Sequence, residues 1–335
     1  MKTYLIKPSL MLLLIIVFTN CEKDEEEPLR NLDGDPSGAV INTRVIDYSE
    51  GELTIELDIY VVDGKGNFTK GLSTDNFSID NIKLNYYEAA SFENVRVSAS
   101  RTSSKGSYYA SLLLDQSGSI SNTDPYNLRI DAAKIFCEAL GANDYVLLSS
   151  FTSSYSPYEV ILHSEYTQDT SELNYQLNNL LYKHGGGTPL YNAAYSMVKY
   201  TDENASGNNK AIILFTDGNN TTSGTTLPQL TDYANNMGVQ IYTVGLSRSV
   251  DFSVLAQIAS NTGGSFMWAQ DARQLITMFG TLGDLLSGNA SYYSTRWQVS
   301  RERGTWQSGT SIVTELIITL KDGSSFSVPF EISIP

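Results

Sequence analysis

Ala110-Ser111-Leu112-Leu113-Leu114-Asp115-Gln116-Ser117-Gly118-Ser119 is a short apolar run that ends in a carboxylate and two alternating hydroxyls. It reads as a buried strand, and the alternating side chains at its end point to one side. Ala211-Ile212-Ile213-Leu214-Phe215 repeats the pattern and ends in Thr216-Asp217-Gly218. Between the two, His184-Gly185-Gly186-Gly187-Thr188-Pro189-Leu190 opens a helix. Ligands of open α/β sheets collect at the carboxyl ends of strands, near the point where strand order reverses. All three segments lie where a strand or loop enters a helix, so they can converge there. The candidate donors are Asp115, Ser117, Ser119, Thr188 and Asp217, all oxygen, with no sulfur and no imidazole. Such a set suits a hard cation, and two carboxylates with three hydroxyls leave room for water or for a carboxylate from outside.

Outward from these segments, strand and helix patterns alternate. Residues 145–151, 160–163, 239–244 and 265–268 are strand-like. Residues 128–140, 171–182, 190–200, 227–237, 251–260 and 271–286 are helix-like. Apolar strands alternating with amphipathic helices mean an α/β fold, a doubly wound and mostly parallel sheet covered on both faces, here over 107–288.

The flanks are patterned differently. Leu53, Ile55, Leu57, Ile59 and Val61 alternate with polar residues, as do Phe326, Val328, Phe330, Ile332 and Ile334. Period two makes half-buried strands. Asp322-Gly323 is a two-residue hairpin signal, and Pro329 argues for an edge strand. Gly71-Leu72-Ser73-Thr74-Asp75-Asn76-Phe77-Ser78-Ile79 resembles the Ig-like modules of secreted bacterial proteins. Each flank alone is small for a stable β-sandwich. The expectation is therefore one Ig-like sandwich made from 37–100 and 290–335, with the α/β domain inserted between them.

Composition narrows the function. The 335 residues carry 37 Asp+Glu against 22 Lys+Arg, a formal charge of −15. Nucleic-acid binders build basic faces, so that class is excluded and cations become the natural ligands. Two Cys and two His cannot make a zinc site of the usual four-ligand Cys/His kind. His163 and His184 have no carboxylate–serine arrangement around them, and no G-x-S-x-G elbow is present. The three glycines 185–187 lack the Lys-Ser/Thr of a phosphate loop and instead let the backbone carry Thr188 close to the other donors. Trp268, Trp297 and Trp306 read as core or interface rather than as a sugar platform, and Cys137 as a buried small hydrophobe.

At the N-terminus, Lys2 and Lys7 precede an apolar run over 10–18, then Thr19-Asn20-Cys21 and an acidic stretch to Pro28. The run is too short for a membrane span, which needs about 20 residues. It resembles a bacterial lipoprotein signal over 1–20 with Cys21 as the lipidated residue, followed by an acidic tether over 21–36. Asn20 and Thr19 depart from the strict small-residue pattern, and an ordinary secreted protein is the alternative. The resemblance implies an outer-membrane protein held by its lipid alone and facing outward.

The five donors resemble the metal-ion-dependent adhesion site (MIDAS) of von Willebrand factor type A (VWA) domains, whose pattern is D-x-S-x-S, a later Thr and a later Asp. Gly187-Thr188-Pro189-Leu190, Ile241-Tyr242-Thr243-Val244-Gly245 and Leu255-Ala256-Gln257-Ile258-Ala259-Ser260-Asn261-Thr262-Gly263-Gly264 are also similar to bacterial members. The resemblance implies a Rossmann-like fold and Mg²⁺, with Ca²⁺ or Mn²⁺ as alternatives. Ser117, Ser119 and Thr188 would touch the ion, with Asp115 and Asp217 acting largely through water. It implies adhesion to a protein partner that offers a carboxylate, and no enzymatic activity. The other reading is a cell-envelope or fimbria-accessory component that docks neighbouring subunits through the same domain. In this family a C-terminal helix can shift between affinity states, and 271–286 is the corresponding segment.

Overall fold

The computed structural model describes residues 34–85, 88–101, 106–154, 160–301 and 303–335. The signal segment, Cys21 and the tether up to residue 33 lie outside the described residues.

The N-terminal flank forms β1 (Ser37–Tyr48), β2 (Glu52–Val62), β3 (Phe77–Ile79), β4 (Ile82–Asn85) and β5 (Glu88–Arg101). The α/β region begins with β6 (Tyr109–Asp115), α1 (Ile120–Thr123), α2 (Leu128–Glu138), β7 (Tyr145–Phe151), β8 (Val160–Leu162) and α3 (Thr170–Asn178). It continues through α4 (Leu190–Asn204), β9 (Lys210–Thr216), α5 (Leu227–Met237), β10 (Val239–Leu246), α6 (Phe252–Asn261), β11 (Phe266–Ala269) and α7 (Arg273–Ser287). The C-terminal flank adds β12 (Ser291–Arg301), β13 (Ser311–Thr319) and β14 (Ser325–Ser333).

Strands β11, β10, β9, β6 and β7 are parallel neighbours in that order, with β8 antiparallel at the edge. Period-two alternation along the buried strands sends successive side chains to two cores. Leu112, Leu114, Ile213 and Phe215 pack with α2, α3 and α7, whereas Leu113, Ile212 and Leu214 pack with α4, α5 and α6. Complete burial of each such side chain stabilises the fold by roughly 1.5–3 kcal/mol. The chain leaves β6 toward β7, then returns to the other side of β6 as β9. Strand order therefore reverses between β6 and β9.

The two flanks pair with each other. β12 lies between β2 and β5, and β13 pairs with β3 and β14. Leu53, Ile55, Leu57, Ile59 and Val61 share a core with Trp297, Leu316, Val328 and Phe330. The difference from the sequence reading is that the flank sheet is not free-standing. β1 pairs antiparallel with β11, giving one eleven-stranded sheet, with β14, β13 and β3 as a separate three-stranded one. Tyr60 and Val62 at the end of β2 belong to the α7-side core, so both faces of that strand end are buried.

Two local expectations change. The β13–β14 connection is a three-residue loop, not two: Leu320 N–H donates to Ser324 O at 2.8 Å, and Gly323 takes φ +87°. A left-handed third residue is the usual geometry of such loops. Helix α3 ends at Asn178 instead of 182, because the chain tightens into i→i+3 turns at Leu180 and Leu181 and reverses at Tyr182, φ 57°. Pro329 does lie on an edge strand, β14. All three tryptophans are buried, and Cys137 is a buried free thiol pushed up to about 12 by burial.

His163 follows β8, with Nε2 2.8 Å from the buried Ser150 hydroxyl. Burial, helped by Lys183, lowers its pKa from 6.5 to about 4. The unfolded chain then binds a proton that the folded chain refuses, so this contribution is complete above pH 6.5 and is lost as pH falls toward 4. Urea melts at a series of pH values should show His163→Asn with a shallower loss of stability over that window than the parent chain.

Candidate metal centre

Register places the two carboxylate-bearing strand ends side by side. Leu114 pairs with Phe215 across β6 and β9, so Asp115 and Thr216 emerge level and Asp217 follows. Asp115 Oδ1 accepts from Ser117 N–H at 2.7 Å, and Oδ2 accepts from Thr216 Oγ1 at 2.6 Å. Asp217 Oδ1 accepts from Ser119 Oγ at 2.7 Å, and Oδ2 accepts from Thr123 Oγ1. Ser117 Oγ lies 3.1 Å from Ser119 Oγ. Thr188 joins from the third segment: a Cβ on Gly218 would lie 3.5 Å from Thr188 Oγ1 and 3.8 Å from Ser119 Oγ. All five residues marked by the sequence pattern are thus gathered at the reversal point of the sheet.

The glycine loop that brings Thr188 there is tied at both ends. Gly185 N–H donates to Gln116 O at 2.8 Å, and Gly118 N–H donates to Gly186 O at 2.9 Å. Gly187 N–H donates to Ser153 Oγ at 2.6 Å. Gly186 sits at φ +78°, and a Cβ there would press to 2.8 Å from Thr152 Oγ1 and 2.9 Å from Ser154 N. Only glycine fits so close an approach. Thr221 then clamps Thr188, accepting its N–H at 2.7 Å and donating its own N–H to Thr188 O at 2.9 Å.

Burial sets the electrostatics. Asp115 and Asp217 are each 0 % exposed, whereas Ser119 faces outward. Burial, and then the charge of Asp217, push the Asp115 carboxyl from 3.8 up to about 6, against the opposing hydrogen bonds from Thr216 and Ser117. Among the described residues neither carboxylate has a Lys, Arg or His ion-pair partner. Two buried like charges without a counterion are unfavourable, and a cation between them removes the conflict. The donor set therefore fits a hard divalent ion. No group of three His, Cys, Asp or Glu occurs among the described residues, so the hydroxyls must supply the remaining donors.

Several supporting residues carry no signal in the spacing. Thr123 and Thr216 each hold one carboxylate oxygen. Gln116, between two of the donors, is fixed by Arg129 through Oε1 at 2.7 Å and by Leu180 O through Nε2 at 3.2 Å. Arg129 is itself 0 % exposed and paired with Asp124 at 2.9 Å, while Asp124 caps α2 by accepting from Leu128 and Arg129 N–H. A sequence cannot show that a basic residue turns inward. His184 is partly buried beside the glycine loop and makes no part of the donor set.

Removing one partner of a buried ion pair costs about 3–5 kcal/mol, because the other charge is left uncompensated. Arg129→Met is expected to lose stability of that order in urea melts. The double change Asp124→Asn with Arg129→Met should recover part of the loss, and a double variant no better than the single one would contradict the pairing.

Comparison with known proteins gives the family. The von Willebrand factor type A domain model matches residues 111–281. Among solved structures the chain is similar to von Willebrand factor type A from Catenulispora acidiphila, at 11% identity over 90% of this chain and 74% of that one, TM-score 0.46. Proximal thread matrix protein 1 from the mussel byssus, solved with a zinc-occupied MIDAS motif, is 18% identical over 55% of this chain and 49% of its own, TM-score 0.45. The pilus adhesin SpaC from Lactobacillus rhamnosus GG is 12% identical over 89% of this chain and 48% of its own, TM-score 0.45. The chain spans about half the length of those last two proteins. No curated protein sequence matches. With just over half of its residues matched by the family model and its donors gathered at the reversal point of a doubly wound sheet, the chain belongs to the von Willebrand factor type A domain family.

Proposed function

We propose that this protein is a surface lipoprotein whose VWA domain binds a protein partner through Mg²⁺ held by Asp115, Ser117, Ser119, Thr188 and Asp217. The observation that carries the reading is the convergence of two buried, unneutralised carboxylates with three hydroxyls at the end of β6 and β9. A divalent ion in such a site supplies a coordination position that an acidic side chain of the partner can fill. Asp115 and Asp217 provide the negative charge, and Thr216 and Thr123 hold their outer oxygens in place. Ser119 provides the exposed lip of the site. Specificity falls to the surrounding loops. Without a cation, an acidic protein would repel an acidic partner, so binding should depend on metal.

Lipidation at Cys21 would anchor the chain to the outer membrane and export it to the cell surface, a reading supported by the apolar run and the acidic stretch after it. The flanking strands, read as an Ig-like sandwich, would carry the VWA domain on that tether. Hydrolysis is disfavoured, since the hydroxyl that meets His163 belongs to Ser150, which is 0 % exposed and out of reach of a substrate.

Mg²⁺ should raise the melting temperature of the lipid-free chain, and EDTA should reverse the rise. Asp115→Ala should abolish both that shift and the metal-dependent capture of partner from envelope or host extracts, with an unchanged circular dichroism spectrum. Capture that survives both EDTA and Asp115→Ala would sink the mechanism. A fatty-acid label that remains on Cys21→Ser would sink the anchoring.

A further inference from the structure

The joint between the two halves of the sheet does not stay closed. Among the described residues β1 pairs with β11 at Ala39–Met267 and Val40–Phe266 alone. Beyond Val40, β1 bulges at Ile41 but stays paired with β2, whereas its ladder with β11 ends. A cleft of about 570 Å³ opens there, walled by β1, α6 and β14. Its lining includes Asn42, Asp58, Asn261, Tyr292, Pro329 and Glu331. The volume falls within the range of small-ligand sites, which commonly lie at such junctions.

The lining selects a chemistry. Asp58 is 6 % exposed and rigidly held, accepting from Arg44 at 2.6 and 3.0 Å and from the Asn42 amide at 3.3 Å. Glu331 Oε1 accepts from Gln257 Nε2 at 3.4 Å and from Ser311 Oγ, whereas its Oε2 is buried with no hydrogen-bond partner. A buried acceptor without a donor is unfavourable, and rotation of the Glu331 carboxylate toward the cleft would let a ligand hydroxyl satisfy it. Arg44 neutralises Asp58, but among the described residues Glu331 has no Lys or Arg partner, so the cleft disfavours an anionic ligand at Glu331. An extended peptide adding to a strand edge fits poorly. Pro329 on the edge strand β14 offers no N–H, and the bulge at Ile41 breaks the regular ladder on β1. What remains is a neutral ligand rich in hydroxyls with a flat apolar face, for which fixed amides and carboxylates are the polar partners and the half-buried Tyr292 the ring surface.

We propose that the cleft between β1, α6 and β14 binds a neutral saccharide, independently of the metal centre. The test is titration calorimetry of the lipid-free chain with maltotriose, cellotriose and mannotriose, beside a glucuronate-containing trisaccharide and an extended polar hexapeptide. At least one neutral trisaccharide should bind, and Tyr292→Ala and Glu331→Gln should each weaken it by about tenfold or more. Asp115→Ala and EDTA should leave that affinity unchanged, which separates this site from the metal-dependent one. Circular dichroism of each variant checks that the fold is intact. The proposal is overturned if no neutral trisaccharide binds, if the acidic sugar or the peptide binds better, if both cleft variants bind like the parent, or if binding needs Mg²⁺.

Discussion

Two carboxylates buried close together, with no cationic side chain among the described residues to neutralise them, are the constraint around which this domain is arranged. In a low-dielectric interior such a pair persists only if every oxygen is held and the surroundings cannot relax. The structure meets that requirement with Thr216 and Ser117 on Asp115 and with Ser119 and Thr123 on Asp217. Around them the loops are locked to one another: Gln116 by Arg129 and Leu180, and the glycine loop by Gln116, Gly118 and Ser153. The buried Arg129–Asp124 pair fastens this set to the start of α2. The stability given up at the centre is offset by the two apolar cores on either side of the sheet.

The flanks extend that rigidity. The sheet continues from β11 into β1, and Ala39, Tyr60 and Val62 sit in the same core as Leu275, Phe279 and Leu282 of α7. Thr277 Oγ1 donates to Asp35 O and lies 2.8 Å from Ser37 Oγ, and Gln274 Nε2 donates to Pro36 O at 3.2 Å. The last helix of the α/β region is thus stitched to the segment that enters the first flank strand. Any shift of α7 along the sheet must break these bonds, so the flank and the VWA domain are mechanically coupled.

Much of this was legible in the sequence, for local reasons. Asp115, Ser117 and Ser119 are two apart on one strand end, and the apolar runs at 110–114 and 211–215 are long enough to mark buried strands. Period-two alternation marked Leu53, Ile55, Leu57, Ile59 and Val61 as the inward face of a half-buried strand, and those five are buried, as are Tyr60 and Val62 on the other face. What escaped notice depends on tertiary arrangement. Thr123 reads as an unremarkable hydroxyl, and nothing near Arg129 in sequence says that it points inward to Gln116. The seam between β1 and β11 joins residues more than two hundred apart through two pairs, which no local pattern encodes. The loop at Lys321-Asp322-Gly323 has three residues where the sequence predicts two, because Asp-Gly marks a turn without fixing the strand residue at which pairing stops.

On the proposed function, the buried carboxylate pair holds a divalent cation. Calorimetric titration of Mg²⁺ into the lipid-free chain at neutral pH, beside a folded Asp217→Ala variant, addresses it most directly. The expected result is saturable binding of a single ion by the parent chain and none by the variant. Absence of binding in the parent, or the same isotherm in both, would contradict it.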